Sequence, residues 1–347
     1  MQKTDFEKTK TPAAVAVPSH ATPAPLEPSA PPPAENAPGG RARVSVVIPT
    51  YNRAEMLCDC VDSVLASDYP NLDVIIVDDA STDGTAEACH ARFGADARMR
   101  FLRNSRNLLA AQSRNNGLAA ARGEYVMFLD SDNLVAPDMI YRLAAALDAD
   151  SSLGLVCALS IQARTDTIWT LGASYDFRTS RPVNLHEGRR IEDIAPSGLY
   201  ETSYAPNAFM ARRSAAELIG GFDAAYGMMY EEADFGYRLA RAGFRAVICA
   251  EARTRHMGFV AKGDTAPLRW LGIESPLRTR CFARNRTRFM RRFAPRRCLI
   301  GYHLFFVHAF AAYYCLVALR NKRPDIARAY LSGTLSGLFG IAARPVK

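Results

Sequence analysis

Short apolar runs at near-regular intervals between residues 44 and 129 leave this chain few folds to choose from. Val44–Ile48, Asp73–Val77, Met99–Leu102 and Tyr125–Leu129 each read as a strand. Helices are expected between them, over 54–67 with apolar residues at 57, 61, 64 and 65, and over 108–121, closed by Gly123. Ser81, Thr82, Asp83 and Gly84 offer caps for the helix that follows the second strand. This alternation predicts an α/β fold built on a doubly wound, mainly parallel sheet. Such sheets bind ligands outside the carboxyl ends of their strands. The polar residues that end each run are therefore the first candidates for a site.

Those residues have chemistry in common. The first strand runs into Pro49, Thr50, Tyr51, Asn52 and Arg53, a turn whose Tyr51 can stack on a base. The second ends in Asp78 and Asp79, either of which can accept from a base or a ribose. The fourth, apolar over its whole length and so expected to be buried on both faces, ends in Asp130, Ser131 and Asp132. Two carboxylates one residue apart, with no thiolate beside them, suit Mg²⁺ or Mn²⁺ shared with substrate phosphates. Arg114, in the preceding helix, can reach a phosphate. No G-x-G-x-x-G follows the first strand, which disfavours a dinucleotide-binding dehydrogenase.

Further on, Gly154–Ile161 and Phe244–Ala250 read as strands, 213–219 as a short helix, and residues 164–200 as an irregular, polar and aromatic insertion. Glu231, Glu232 and Asp234 open a helix that runs to Arg241 and stops at Gly243. Carboxylates are favoured there by the helix dipole, and one of them could also serve as a general base for an acceptor hydroxyl.

The segments VSVVIPTYNR (44–53), DVIIVDDASTDGT (73–85), SRNNGLAAARGEYVMFLDSDN (113–133) and GGFDAAYGMMYEEADFGYRLARAGFR (220–245) closely resemble family-2 glycosyltransferases over about residues 43–295. The resemblance implies a GT-A fold and an inverting enzyme that uses a nucleotide-sugar donor. Position by position, it gives Tyr51 and Asp79 to the nucleotide base and Asp130 and Asp132 to the metal and diphosphate. It makes Glu232 the catalytic base, with Glu231 as the second candidate and Asp234 orienting the loop or acceptor. The family's usual residue at the base position is Asp, so Glu232 is one methylene longer. A His after the strand that follows this helix is implied near the metal, which points to His256. Where Leu109 stands, the family often has Gly.

Charge divides the chain unevenly. From Pro276 onward there are 15 Lys and Arg against one acid, Asp325, while the first 275 residues carry 28 basic and 34 acidic side chains. Residues 278–297 hold nine arginines, and Leu299–Leu319 then contains no charged residue. Twenty-one such residues are enough to span a bilayer, but basic residues flank both ends and give no inside–outside bias. A second apolar stretch, Ile326–Ala342, carries small residues suited to close helix contact. The expectations are a helical hairpin on or in the cytoplasmic leaflet with its arginines on anionic headgroups, a spanning segment, or a helix buried on the catalytic domain. The first gives a cytoplasmic enzyme, peripheral at the inner face of the membrane, whose acceptor is a glycan or a lipid-linked glycan.

The domain reading is a Pro/Ala-rich disordered leader over 1–42, a transferase domain over 43–295 and a C-terminal helical extension over 296–347. The eight cysteines are scattered, and Cys58 and Cys60 lack the neighbours of a zinc site. Three other classes fit less well. A processive polysaccharide synthase would add Q-x-x-R-W, but Ala266 stands where Gln is needed before Arg269 and Trp270. A sugar nucleotidyltransferase would carry a Gly-rich loop after the first strand. A basic nucleic-acid-binding module leaves the acidic rim without a purpose, so no nucleic-acid partner is expected.

Overall fold

The computed structural model describes residues 42–258, 268 and 271–340. Nearly all of the expected leader, together with Arg269, Trp270 and the last seven residues, lies outside them.

The four expected strands form β1 (Val44–Thr50), β2 (Leu72–Asp78), β3 (Met99–Arg103) and β4 (Tyr125–Leu129). They lie side by side in the order β3-β2-β1-β4, all parallel. The helices α1 (Ala54–Leu65), α2 (Thr85–Phe93) and α3 (Leu109–Ala120) make the crossovers. Alternate residues of β1 serve opposite faces. Val46 and Ile48 join the core with Leu57 and Val61 of α1, whereas Val47 packs with Ala111 and Leu118 of α3. Helix α3 approaches closely because residue 117 is glycine, where a Cβ would sit 2.2 Å from Val47 Cγ1.

Past β4 the sheet becomes mixed. After β5 (Asn133–Val135) and α4 (Met139–Ala149) come β6 (Leu153–Gln162), β7 (Thr167–Thr170), β8 (Ala173–Asp176), β9 (Arg181–Asn184), α5 (Ile191–Ile194) and β10 (Leu199–Glu201). Then follow β11 (Ala208–Arg212), α6 (Arg213–Leu218), α7 (Glu231–Arg241) and β12 (Arg245–His256). Strand β11 inserts antiparallel between β4 and β6, and β12 runs parallel to β6. The whole is a mostly parallel central sheet flanked by helices, as expected.

Two expectations are corrected. Residues 164–200 are not irregular: β7 pairs with β6, β8 with β9, and β10 with β12. The strands are only three or four residues long, too short for alternation to stand out along the sequence. Strand β12 also runs six residues beyond Ala250, because its second half pairs with β5, and His256 is its last residue.

The C-terminal region forms α8 (Pro276–Phe293), α9 (Arg296–Gly301), a π-helical turn at Tyr302–Phe306, α10 (Val307–Arg320) and α11 (Pro324–Phe339). Helix α11 lies along α8, whose backbone it approaches closely at Gly333 and Gly337; a Cβ at Gly333 would lie 2.4 Å from the Arg280 carbonyl oxygen. A separate aromatic core joins these helices to the transferase body, with Phe289, Tyr302, Phe310, Tyr314 and Tyr330 packed with Tyr175 and Tyr226. The arginines of α8 do not all face outward, contrary to the headgroup expectation. Arg286 is buried, and Arg288 and Arg292 pair with Asp223 at 3.1 and 3.0 Å. Asp223 and Asp234 of the body thus take Arg288 and Arg292, whereas Arg286 is enclosed by tyrosines.

Candidate functional site

One buried guanidinium organises the acidic rim. Arg114 enters from α3, where Gly117 sets the helix against β1, and is 2% exposed. Its Nη1 donates to Glu231 Oε1 at 2.8 Å, and its Nη2 donates to Asp130 Oδ1 at 2.6 Å and Glu232 Oε1 at 2.7 Å. Residues from the end of β4 and the start of α7, more than 100 positions apart in sequence, thus meet on one side chain. The Phe222 ring lies 5.4 Å from the guanidinium carbon.

Three carboxylates face one cation, so the cluster is not neutral. Burial alone would lower the Arg114 guanidinium, but the three acids outweigh it and hold it above its usual range. Burial drives the Glu232 carboxyl up; Arg114 pulls it back, and Asp130 and Glu231 add to the rise, leaving it pushed up to about 8. Glu231 is raised for the same first reason, burial, against the pull of Arg114. A carboxyl near pH 8 beside an open rim can hold a proton and also release one.

Asp132 stands two residues beyond Asp130. Its Oδ2 accepts from Arg53 Nη1 at 2.7 Å, and its Oδ1 lies 3.6 Å from His256 Nε2. The β5–β12 pairing sets His256 opposite Asn133 and so beside Asp132. The His256 ring stacks on Trp169, with centroids 4.5 Å apart. Among the described residues no group of three or more His, Cys, Asp or Glu side chains converges to enclose an ion. A carboxylate and an imidazole, with Asp130 nearby, instead fit an ion whose remaining ligands come from substrate phosphate and water.

The other expected donor-side residues are spread along the same strand ends. Tyr51 is 45% exposed and free to stack. Asn52 has φ +52° and accepts from the Thr82 backbone N–H at 2.8 Å, tying the first turn to the second. Thr50 and Pro49 finish β1, and the Thr50 Oγ1 is buried without a hydrogen-bond partner. Asp78 is buried, accepts from Ser81 N–H at 3.0 Å, and lies 3.5 Å from Arg103. Asp79 is buried as well. It accepts from Asn104 Nδ2 at 2.7 Å and from the backbone N–H groups of Leu108 and Leu109, both at 2.8 Å. Those bonds hold Leu109 at φ +68°, a left-handed conformation that costs a branched residue about 1–2 kcal/mol. The local requirement that the family usually meets with Gly is met here by clamping.

Asp234 is not brought to the rim. It is fully buried on the far side of α7, where Arg238 Nε and Arg292 Nη1 donate to it at 2.6 and 2.9 Å. Arg238 also donates to the Ile219 and Gly221 carbonyls, so Asp234 holds the loop that precedes the helix.

A model of the family described as Glycosyl transferase family 2 matches residues 45–218, half of the chain. The chain belongs to this family. Among the relatives of this family-2 glycosyltransferase, GlyG of Streptococcus pneumoniae is 40% identical over 114 residues, 32% of this chain and 38% of that protein. The amylovoran biosynthesis glycosyltransferase AmsB of Erwinia amylovora is 29% identical over 248 residues, 68% of this chain and 79% of that one. The match spans only a quarter of a second pneumococcal relative, GlyA, at 25% of its length. Among solved structures, the mannosyltransferase PcManGT from Pyrobaculum calidifontis, in complex with GDP-Man and Mn²⁺, matches with TM-score 0.53 and 20% identity, over 87% of this chain and 89% of that one. GalNAc-T7 with UDP, GalNAc and Mn²⁺ matches with TM-score 0.55 and 17% identity, over 65% and 45%. These two likenesses concern the fold, which is of GT-A type.

Three residues of this family-2 glycosyltransferase escaped the sequence reading. Asn207, at φ +53° and 2% exposed, donates its backbone N–H to Glu232 at 3.3 Å and accepts from Asp130 N–H at 2.8 Å. Trp169 backs His256, and Asn104 shares Asp79 with the α3 N-terminus. A Pro–Asn step before a strand was the one available signal for Asn207. The other two depend on pairings distant in sequence.

Proposed function

We propose that the protein is an inverting glycosyltransferase that moves a sugar from a nucleoside-diphosphate sugar to a hydroxyl of a glycan or lipid-linked acceptor. The observation that carries this reading is the convergence of Asp130, Glu231 and Glu232 on Arg114. Tyr51 stacks on the base. Asp78 and Asp79 shape the base and ribose end, and the turn 49–53 borders the donor. Arg114 balances charge beside the diphosphate. Asp132 and His256, with Asp130 beside them, would hold Mn²⁺ or Mg²⁺, which when bound would neutralise the diphosphate and make it a better leaving group.

Glu232 then takes the proton of the acceptor hydroxyl. The hydroxyl oxygen bonds to the anomeric carbon from the face opposite the nucleotide, and the bond from that carbon to the diphosphate oxygen breaks. The electron pair leaves with the nucleoside diphosphate. One base suffices and no covalent sugar–enzyme species forms. Proton NMR of the product tests this directly. An inverted anomeric centre is expected, and a retained one would contradict the mechanism. Asp132→Ala is expected to abolish both turnover and its dependence on added metal.

Residues 43–295 carry this chemistry, and the helices from 296 onward direct it to a membrane, with α8 as the seam. The helix Arg296–Arg320 is 25 residues long and apolar enough to cross a bilayer. Several of its large apolar residues are exposed, including Ile300, Leu304, Phe305, Leu316 and Leu319, with Leu335 of α11 adding to the apolar surface. Arginines at both ends favour a helix lying in an anionic headgroup layer. Clean release from membranes by high salt alone would exclude an embedded hairpin. The relatives' names, AmsB above all, support a role in polysaccharide biosynthesis.

A further inference from the structure

The loop that delivers Glu231 and Glu232 is conformationally unusual. Gly227, Met229 and Tyr230 have φ of +70°, +66° and +73°, and Tyr230 is the residue immediately before α7. Two consecutive side-chain-bearing residues in the left-handed region persist only where their surroundings impose that conformation. In this structure the surroundings are one side chain of α8. Asn285 is fully buried, and its Nδ2 lies 2.8 Å from each of the carbonyl oxygens of Tyr226, Met228 and Met229. Arg284 Nη2 adds a bond to Tyr226 O at 2.7 Å.

The next residue fixes the loop from its other end. Arg286 is 2% exposed, and its Nε donates to the Tyr230 hydroxyl at 3.2 Å. Its other nitrogens donate to Tyr330 of α11 at 3.1 Å and Tyr314 of α10 at 3.4 Å. The rings of Phe310, Phe282 and Tyr314 lie 4.1, 4.5 and 5.4 Å from its guanidinium carbon. A buried cation held by hydroxyls and ring faces is retained by geometry rather than by a counter-charge.

We infer that Asn285, seconded by Arg286, is a positioning residue for the glutamate base: it holds the loop 226–230, with Gly227, Met229 and Tyr230 at positive φ, so that α7 begins where Glu232 meets Arg114. This rests on the reading of Glu232 as the base. It adds that the basic C-terminal helix, outside the stretch matched by the family model, forms part of the catalytic apparatus without touching substrate. Neither residue reaches the rim. Loss of the hold displaces the carboxylates while leaving the donor-side residues, which sit on β1, β2 and β4, in place.

Two measurements on the full chain test the inference. In Asn285→Ala, hydrogen–deuterium exchange over 226–232 is expected to quicken while the amides of β1 and β4 keep their wild-type rates. The kcat is expected to fall about 100-fold, the scale of a small misplacement of reacting groups, with the KM for the nucleotide sugar within about threefold of wild type. Asn285→Asp, which keeps the shape but loses the donors, should behave the same way and serves if the alanine variant does not fold. Unchanged exchange over 226–232, or quickened exchange with unchanged kcat, would overturn the inference. Normal turnover by Glu232→Gln would instead sink the base assignment, and the exchange result would still report on the clamp.

Discussion

Helix α7 begins with two acidic clusters on opposite sides, and they differ in charge balance. On one side Asp234 is fully buried between Arg238 and Arg292, and Arg292 also reaches Asp223. Every carboxylate there has a cation of its own. On the other side Glu231, Glu232 and Asp130 share the single Arg114. The balanced cluster ties α7 to the body and to α8. In the unbalanced one burial drives the Glu232 carboxyl up, Arg114 pulls it back, and Asp130 and Glu231 add to the rise, which leaves it pushed up to about 8. Two acids, one at the second and one at the fourth position of the same helix, thus have different surroundings, which under the proposed function make Glu232 the reacting group and Asp234 a strut.

Substitutions should separate the two clusters cleanly. The largest effect is expected from Glu232→Gln, which removes the base. Turnover should fall by about 10²–10⁴-fold, while calorimetric affinity for the nucleotide sugar is retained and the unfolding midpoint does not drop. Asp234→Asn should do the reverse. Breaking a buried ion pair leaves Arg238 uncompensated and should cost about 3 kcal/mol by urea unfolding, with turnover per folded molecule largely kept.

The pH dependence offers a subtler contrast. Glu232 is raised from its ordinary 4.5 to about 8, so the folded chain binds a proton that the unfolded chain has already released. The stability this contributes is full below about pH 4.5 and is lost as pH rises through about 8. Relative to Glu232→Gln, wild type should therefore lose stability between pH 5 and 8, as denaturant titrations at both values would show. Turnover should rise over the same interval, because the base must be empty to act. The smallest effect concerns Gly227, where a Cβ would meet Leu109 Cδ1 at 2.7 Å and φ is +70°. Gly227→Ala should cost about 1 kcal/mol, and less in a Leu109→Ala background, as a double-mutant cycle would show.

What the sequence made legible follows the same division. Strands β1 to β4 and helix α7 could be read because each is a local pattern, an apolar run or an amphipathic turn with its own caps. The polar residues at their ends came with them, and so did the rim. The hidden part depended on distant partners. The side of α7 that Asp234 faces is decided by arginines at 238 and 292, and the length of β12 by a three-residue strand at 133–135. For the left-handed Leu109 the one sequence signal was the Gly that the family often has there, since the carboxylate that holds it is thirty residues earlier. Asn285 sat among nine arginines whose number suggested headgroups, whereas the aromatic core buries Arg286 and carboxylates of the body take Arg288 and Arg292.

The protonation state of Glu232 decides between the two descriptions of α7. Infrared difference spectra of wild type against Glu232→Gln at pH 6.5 should show a protonated carboxyl band that vanishes by pH 9, and that band should persist in Asp234→Asn. Identical wild-type and Glu232→Gln spectra at pH 6.5 would mean that the three acids share Arg114 without holding a proton, and the account of this helix would fail.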